Sequence, residues 1–125
     1  MILDTNALSA VADGDTALEP LLQRPLQLFV PVIVLGEYRY GIWLSRERKH
    51  YEQWLTDSLP DYKILDVDED TTVHYASVRA EMKRAGRPIP SNDVWIAALC
   101  RQYGLPLLSR DRHFDSVSGV RRIAW

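Results

Sequence analysis

The sequence predicts an α/β protein with a mostly parallel sheet, and three observations carry that expectation. Short apolar runs alternate with stretches whose apolar residues recur at helical spacing. Strands joined through helices connect by right-handed crossovers, which make them parallel. Acids fall just beyond the apolar runs or early in the helical stretches, and parallel sheets place their sites at that edge.

Each element follows from local signals. Ile2-Leu3 is a very short apolar run ending in Asp4-Thr5-Asn6, a buried strand with an acid at its carboxyl end. Thr5 or Asn6 is placed to cap a helix through Ala7–Ala12. Leu18, Leu21 and Leu22 predict a second helix, in which Pro20 fits only near the first turn. Gln27-Leu28-Phe29-Val30 reads as a strand stopped by Pro31. Val34, Tyr38 and Ile42 mark one face of a helix that carries Glu37. After a charged break at Arg46–Lys49, Tyr51, Trp54, Leu55 and Leu59 mark the next helix. Tyr62–Val67 is a third strand, and Tyr75, Val78, Met82 and Ala85 stripe a helix that Gly86 can end. Pro88 and Pro90 then hold the chain extended, because the residue before proline is pushed out of the α region. Ser91 or Asn92 can cap the helix of Ile96, Leu99, Cys100 and Tyr103, which puts Asp93 in its first turn and its end near Gly104. Leu105–Ser109 is the fourth strand and Val120–Ile123 the fifth.

A chain of 125 residues fits one domain spanning residues 1–125, and 46% hydrophobic with 26% charged residues is an ordinary composition for a globule. The single Cys100 excludes a disulfide framework and a cysteine zinc site, and its place on an apolar helix face makes it core filler. No signal peptide or membrane-spanning run is visible, and the first strand starts at Met1, so a cytoplasmic location is expected. Net charge is −2, which by itself points away from nucleic acid. From Arg79 onward the balance differs: Arg79, Lys83, Arg84, Arg87, Arg101, Arg110, Arg112, Arg121 and Arg122 face Glu81, Asp93, Asp111 and Asp115, nine bases against four acids and a net of +5. A basic surface beside clustered acids suits a metal site that receives a polyanion.

Four acids meet if the sheet is parallel. Asp4 ends strand one and Asp111 follows strand four, so both project at the carboxyl edge. The Asp93 helix runs straight into strand four, so its amino end, with Asp93, lies back at that edge. Glu37 lies early in the helix after strand two, near the same edge. Converging carboxylates repel one another, and a hard divalent cation, Mg²⁺ or Mn²⁺, is the usual compensation. Such ions activate water and neutralise charge on a phosphate. No phosphate-binding glycine motif of the G-x-x-x-x-G-K or G-x-G-x-x-G kind is present. Each acid also has a plainer role open to it: Asp4 as a helix cap, Glu37 as an exposed helix residue, Asp93 as an offset to the helix dipole, Asp111 as a turn acid. Asp115 is either a second neighbour of the metal or a turn residue, and His50, His74 and His113 are expected at the surface or in packing.

The ordered set Met1-Ile2-Leu3-Asp4-Thr5-Asn6, Val34-Leu35-Gly36-Glu37 with Tyr40-Gly41-Ile42, Ile89–Ala98, and Leu108-Ser109-Arg110-Asp111-Arg112-His113-Phe114 resembles PIN-domain ribonucleases, and among them the VapC-type toxins of toxin–antitoxin pairs. The resemblance spans nearly the whole chain. It implies a PIN-like three-layer α/β/α fold with a central parallel sheet of about five strands in the order 3-2-1-4-5. It implies a Mg²⁺- or Mn²⁺-dependent endoribonuclease with Asp4, Glu37, Asp93 and Asp111 as metal-binding catalytic acids. Thr5, Asn6 and Ser109 become auxiliary polar residues, Ser109 standing where Thr is commoner. A homodimer, an RNA substrate and a cognate antitoxin whose tail covers the site are implied as well. The aromatic residues Tyr38, Tyr40, Trp43, Tyr51 and Trp54 exceed what so small a core needs, and one or two are expected to line a groove for an antitoxin helix. Two other readings remain: a non-catalytic PIN-like module that binds RNA or protein, and another Mg²⁺-dependent α/β phosphohydrolase. Phosphatases of the D-x-D type want an acid at position 6, where Asn6 stands.

Overall fold

The computed structural model describes residues 1–24 and 26–125. Five strands form one sheet in the order β3-β2-β1-β4-β5, with every neighbouring pair parallel. They are β1 (Ile2–Leu3), β2 (Phe29–Pro31), β3 (Lys63–Leu65), β4 (Leu107–Leu108) and β5 (Arg122–Ile123). The helices are α1 (Thr5–Ala12), α2 (Glu19–Leu22), α3 (Val32–Leu44), α4 (Arg48–Ser58), α5 (Glu69–Arg84) and α6 (Ser91–Tyr103). Short 3₁₀ turns cover Thr16–Leu18, Leu59–Asp61 and Arg112–Ser116. The expected topology and the alternation of elements are therefore present.

The central strands are apolar on both faces because helices cover both. Ile2, Leu3, Val30, Leu107 and Leu108 are fully buried, as parallel strands between helical layers must be. Helices α1, α3 and α4 pack together, and α5 pairs with α6. The chain grows from β1 through β2 to β3 in one direction and then returns past β1 to β4. Right-handed crossovers consequently put α5 and α6 on the opposite face from the earlier helices. Helix α5 opens with a capping box between Asp68 and Thr71, and the Thr71 hydroxyl also donates to Gln102 Oε1 on α6 at 2.6 Å. Gly104, at φ +62°, ends α6 in the left-handed conformation that a side chain would strain.

Several boundaries differ from expectation, each for a local reason. Asp4, not Thr5 or Asn6, caps α1: its side chain accepts the Thr5 N–H, and the helix starts at Thr5. Pro90 occupies the cap position of α6 with no side-chain cap bond, so Ser91 and Asn92 lie inside the first turn with Asp93. The second helix splits into the Thr16–Leu18 turn and the four-residue α2, with Pro20 in the first turn of the latter. Pro31 belongs to β2 rather than stopping it, pairing with Leu65, and Val32 begins α3 directly after it. The break before α4 is at Ser45–Glu47, where Ser45 Oγ accepts the Glu47 N–H at 3.0 Å. Strand two starts at Phe29 rather than Gln27, and strands three, four and five are shorter than read. Among the described residues no helix is long and apolar enough to cross a membrane.

Candidate active site

Register builds the centre of the site. Leu3 pairs with Leu108, so the next residues, Asp4 and Ser109, emerge side by side at the carboxyl edge of two neighbouring strands. Ser109 Oγ donates to Asp4 Oδ2 at 2.6 Å, and both residues are buried. The same Ser109 oxygen accepts the Asp111 N–H at 3.0 Å, which turns the chain so that Asp111 follows at the rim. Asn6, in the first turn of α1, ties the two acids: its amide donates to Asp4 Oδ2 at 3.4 Å and to Asp111 Oδ2 at 3.3 Å. Asn6 Oδ1 in turn accepts the Arg110 N–H at 3.2 Å. Asn6 and Ser109 thus hydrogen-bond the carboxylates of Asp4 and Asp111 at this edge.

The other wall comes from two helices. Glu37, in the second turn of α3, accepts the Thr5 hydroxyl at 3.2 Å. Asp93, in the first turn of α6, faces His113 on the last 3₁₀ turn, with Nε2 and Oδ2 2.9 Å apart. That contact has the geometry of a charge pair rather than an aligned hydrogen bond, since Nε2 has no hydrogen-bond partner among the described residues. An open cleft of about 690 Å³ is lined by Asp4, Thr5, Asn6, Glu37, Asp93 and Asp111 together with the Pro90–Asn92 approach. All four expected acids and two auxiliary residues therefore share one cleft.

One expectation changes, at His113, and one open alternative, at Asp115, is decided for the turn. His113 is not a bystander in packing: it is the one histidine set against a cluster acid, and only its position two residues beyond Asp111 hinted at this. Asp115 lies outside the cleft, exposed, and is held by both its oxygens to Arg122, at 2.8 and 3.0 Å. Arg122 also donates to the Ser109 carbonyl at 3.0 Å, so Asp115 and Arg122 brace the turn that carries Asp111. His50 remains exposed, against Tyr51, as expected.

Burial and mutual repulsion set the electrostatics of the cluster. Burial raises the Asp4 carboxyl above the usual range, with Asp111 adding to the effect, while Ser109 and the Thr5 N–H oppose it. Burial likewise raises Glu37, with Asp4 and Asp111 contributing. Asp93 is pushed up to about 6, first by burial and then by Asp4, Asp111 and Glu37, against the opposing charge of His113. The donors are oxygens from carboxylate, hydroxyl and amide groups, the set that hard divalent ions prefer. Among the described residues no three His, Cys, Asp or Glu side chains stand close enough together to hold one ion directly.

The sheet order and the acid-lined carboxyl edge define a PIN-like α/β/α protein. The chain belongs to the PIN domain family, whose model matches residues 1–120. Ribonuclease VapC5 of Mycobacterium tuberculosis is 29% identical over 124 residues, covering 98% of this chain and 90% of that protein. The tRNA(fMet)-specific endonuclease VapC of Shigella flexneri is 36% identical over 100 residues, covering 79% of this chain and 76% of that one. A crystal structure of VapBC-5 from Mycobacterium tuberculosis, a member of the VapBC family of toxin–antitoxin systems, superposes with a TM-score of 0.76 at 28% identity, covering 99% and 97% of the two chains.

Proposed function

We propose that this protein is the endoribonuclease toxin of a toxin–antitoxin pair, working with Mg²⁺ or Mn²⁺ to hydrolyse RNA phosphodiester bonds. One observation carries the reading: four carboxylates from four separate elements line one cleft, and the most buried, Asp4, is fixed by a 2.6 Å hydrogen bond from the neighbouring strand. The ribonuclease relatives and the toxin–antitoxin neighbour support it.

Asp4 and Asp93 hold the principal metal, with Glu37 and Asp111 completing its surroundings. When bound, the ion activates water and neutralises charge on the scissile phosphate. The chain's own groups prepare that chemistry. Ser109 and the Thr5 N–H fix Asp4 before any ligand arrives, so little reorganisation accompanies binding. The Thr5 hydroxyl aims Glu37, and Asn6 aims Asp111. His113 stabilises the ionised form of Asp93, whose carboxyl in the metal-free protein holds its proton up to pH about 6. The protein acts in the cytoplasm, as a homodimer, and a cognate antitoxin restrains it. A groove of about 260 Å³ beside the cleft, lined by Tyr38, Gly41, Ile42 and Tyr51 and sharing Thr5 and Glu37 with it, suits an antitoxin side chain.

The test is cleavage of single-stranded RNA by purified protein with Mg²⁺, with Mn²⁺ and with chelator. Metal-dependent cleavage is expected, lost in Asp4→Ala and Asp93→Ala with folding kept. RNA binding without cleavage under any metal would mark a non-catalytic PIN-like module instead.

A further inference from the structure

The acid cleft is a poor place to gain affinity for RNA, because it repels phosphate until a cation is present. The affinity has to come from elsewhere, and the fate of the arginines shows where. Arg101 is tied to Glu81 and to the Ser118 carbonyl, Arg122 to Asp115, and Arg110 to Asp15. These are bracing contacts. Arg79 and Lys83, both exposed and one turn apart on α5, make no ion pair among the described residues. They line a second cleft of about 430 Å³, whose other walls include Met82, Ile89, Ser91 and Val94. Ser91 also lines the acid cleft, so the two depressions meet at the start of α6, across the Pro88–Pro90 approach. Beside them Tyr75 and Trp95 stack with centroids 3.9 Å apart, and Arg79 donates to the Tyr75 hydroxyl at 2.6 Å. The outcome is a cationic, partly apolar depression that begins where the acids end.

We propose that this second cleft seats a phosphodiester of the RNA strand next to the one at the acids, with Arg79 and Lys83 as its cationic partners and the Ile89–Met82 wall against the sugar or base. The proposal rests on the ribonuclease reading above. A strand with one phosphate at the acids places its neighbour within the adjoining depression, where two cations with no carboxylate partner among the described residues and an apolar wall match a nucleotide unit. The two clefts then divide the work: one binds, and the other reacts. The remote contact is made equally in ground and transition state, so it lowers KM and leaves kcat to the acids.

The experiment compares wild type, Lys83→Gln, Arg79→Gln/Lys83→Gln and the charge-keeping Arg79→Lys. A labelled single-stranded oligoribonucleotide is titrated in chelator across a salt series, and cleavage is measured with Mg²⁺. Each cation that contacts phosphate contributes about 0.7 to the slope of log affinity against log salt on a single strand, so the double variant should lose about 1.4. Over a tenfold rise in salt, wild-type affinity then falls about 25-fold more than that of the double variant. KM should rise with kcat nearly constant, Arg79→Lys should stay near wild type, and unfolding midpoints should match. Equal slopes and KM values in wild type and double variant, with RNA cleaved by both, overturn the phosphate seat and leave the ribonuclease reading standing. The converse, RNA bound but uncleaved by wild type with the slope still lost in the variant, keeps the seat and sinks the ribonuclease. Variants that bind RNA normally but lose antitoxin make the cleft a protein contact and overturn the proposal.

Discussion

The two walls of the acid cleft are built differently. The strand-end wall, Asp4, Ser109, Asn6 and Asp111, is closed by hydrogen bonds between residues about a hundred positions apart in sequence, and its centre is buried. The helix wall, Glu37 and Asp93, stands on second and first turns of separate helices, Glu37 held by the side chains of Thr5 and Asn92 and Asp93 set against His113. Both walls hold acids pushed above their usual range by burial. Hydrogen bonds pull back against that push at Asp4 and at Glu37, whereas Asp93 has the His113 charge to oppose it and reaches about 6. One wall is thus held by contacts across neighbouring strands, and the other by contacts between helix turns and a neighbouring loop. Preorganisation belongs where register supplies it, and adjustability where helix termini meet a cleft.

Breaking either wall tests the contrast. The largest effect is expected from Asp4→Ala, which removes the fixed centre: RNA cleavage should fall by at least about 10²–10³-fold, on the scale of deleting one preorganised electrostatic group. Undiminished turnover by the purified variant would remove Asp4 from the chemistry. Next is metal-linked stabilisation. Mn²⁺ at a hundred times Kd should stabilise the wild type by about 2.7 kcal/mol and leave Asp4→Ala/Asp93→Ala unmoved. Identical melting shifts in both would mean that the acids do not hold the ion.

Ser109→Ala strips the first wall of its hub. The buried Asp4 oxygen and the Asp111 N–H lose their partner, at a cost of about 1–3 kcal/mol in urea unfolding. Metal affinity should weaken by roughly 10–100-fold, as for other groups that orient a ligand. Ser109→Thr keeps the hydroxyl and should recover most of both.

The second wall has a pH signature. The folded-state pKa of Asp93, about 6, lies above its ordinary value of 3.8, so the folded protein binds the extra proton between those values. Stability of the metal-free protein should therefore rise as pH falls from about 6 toward 4 and be lower at neutral pH. Asp93→Asn removes that dependence and should gain on the order of 1 kcal/mol at pH 7, less what the first-turn charge contributes to α6. A melting curve against pH that keeps its shape in the variant would exclude Asp93 as the source. The smallest effect is expected at Trp43, 65% exposed with the Arg48 guanidinium 3.3 Å over its ring. Trp43→Ala should change stability by less than about 0.5 kcal/mol, which separates it from Tyr38, buried in the core. Inhibition by the cognate antitoxin, titrated against RNA cleavage, then shows whether the ring belongs to that interface.

The groove beside the cleft shows where aromatic residues divide. Tyr38 and Tyr51 line it, Trp54 packs edge-on against Tyr38, and Tyr40 and Trp43 face outward. Helical spacing from Val34 through Tyr38 to Ile42 foretold the buried face. Which rings border a groove depended on how α3 and α4 lie across each other, and that has no local signal.

What the sequence by itself determined is the class of fold and the position of each acid along the chain. Apolar runs and helical stripes are local, and they suffice to place Asp4 and Asp111 beyond strands and Asp93 in a first turn, all at one edge of a parallel sheet. Only the tertiary structure decided which side chains touch. The register of β1 against β4 set Ser109 on Asp4. The fold of the Arg112–Ser116 turn brought His113 to Asp93 and gave Asp115 to Arg122. The packing of α5 against the start of α6 set Arg79 and Lys83, without an ion pair among the described residues, in one depression with Ser91. The physical reason is range: backbone propensity and hydrophobic period act over a few residues, whereas a hydrogen bond or ion pair between residues far apart in sequence exists only once packing has fixed both ends.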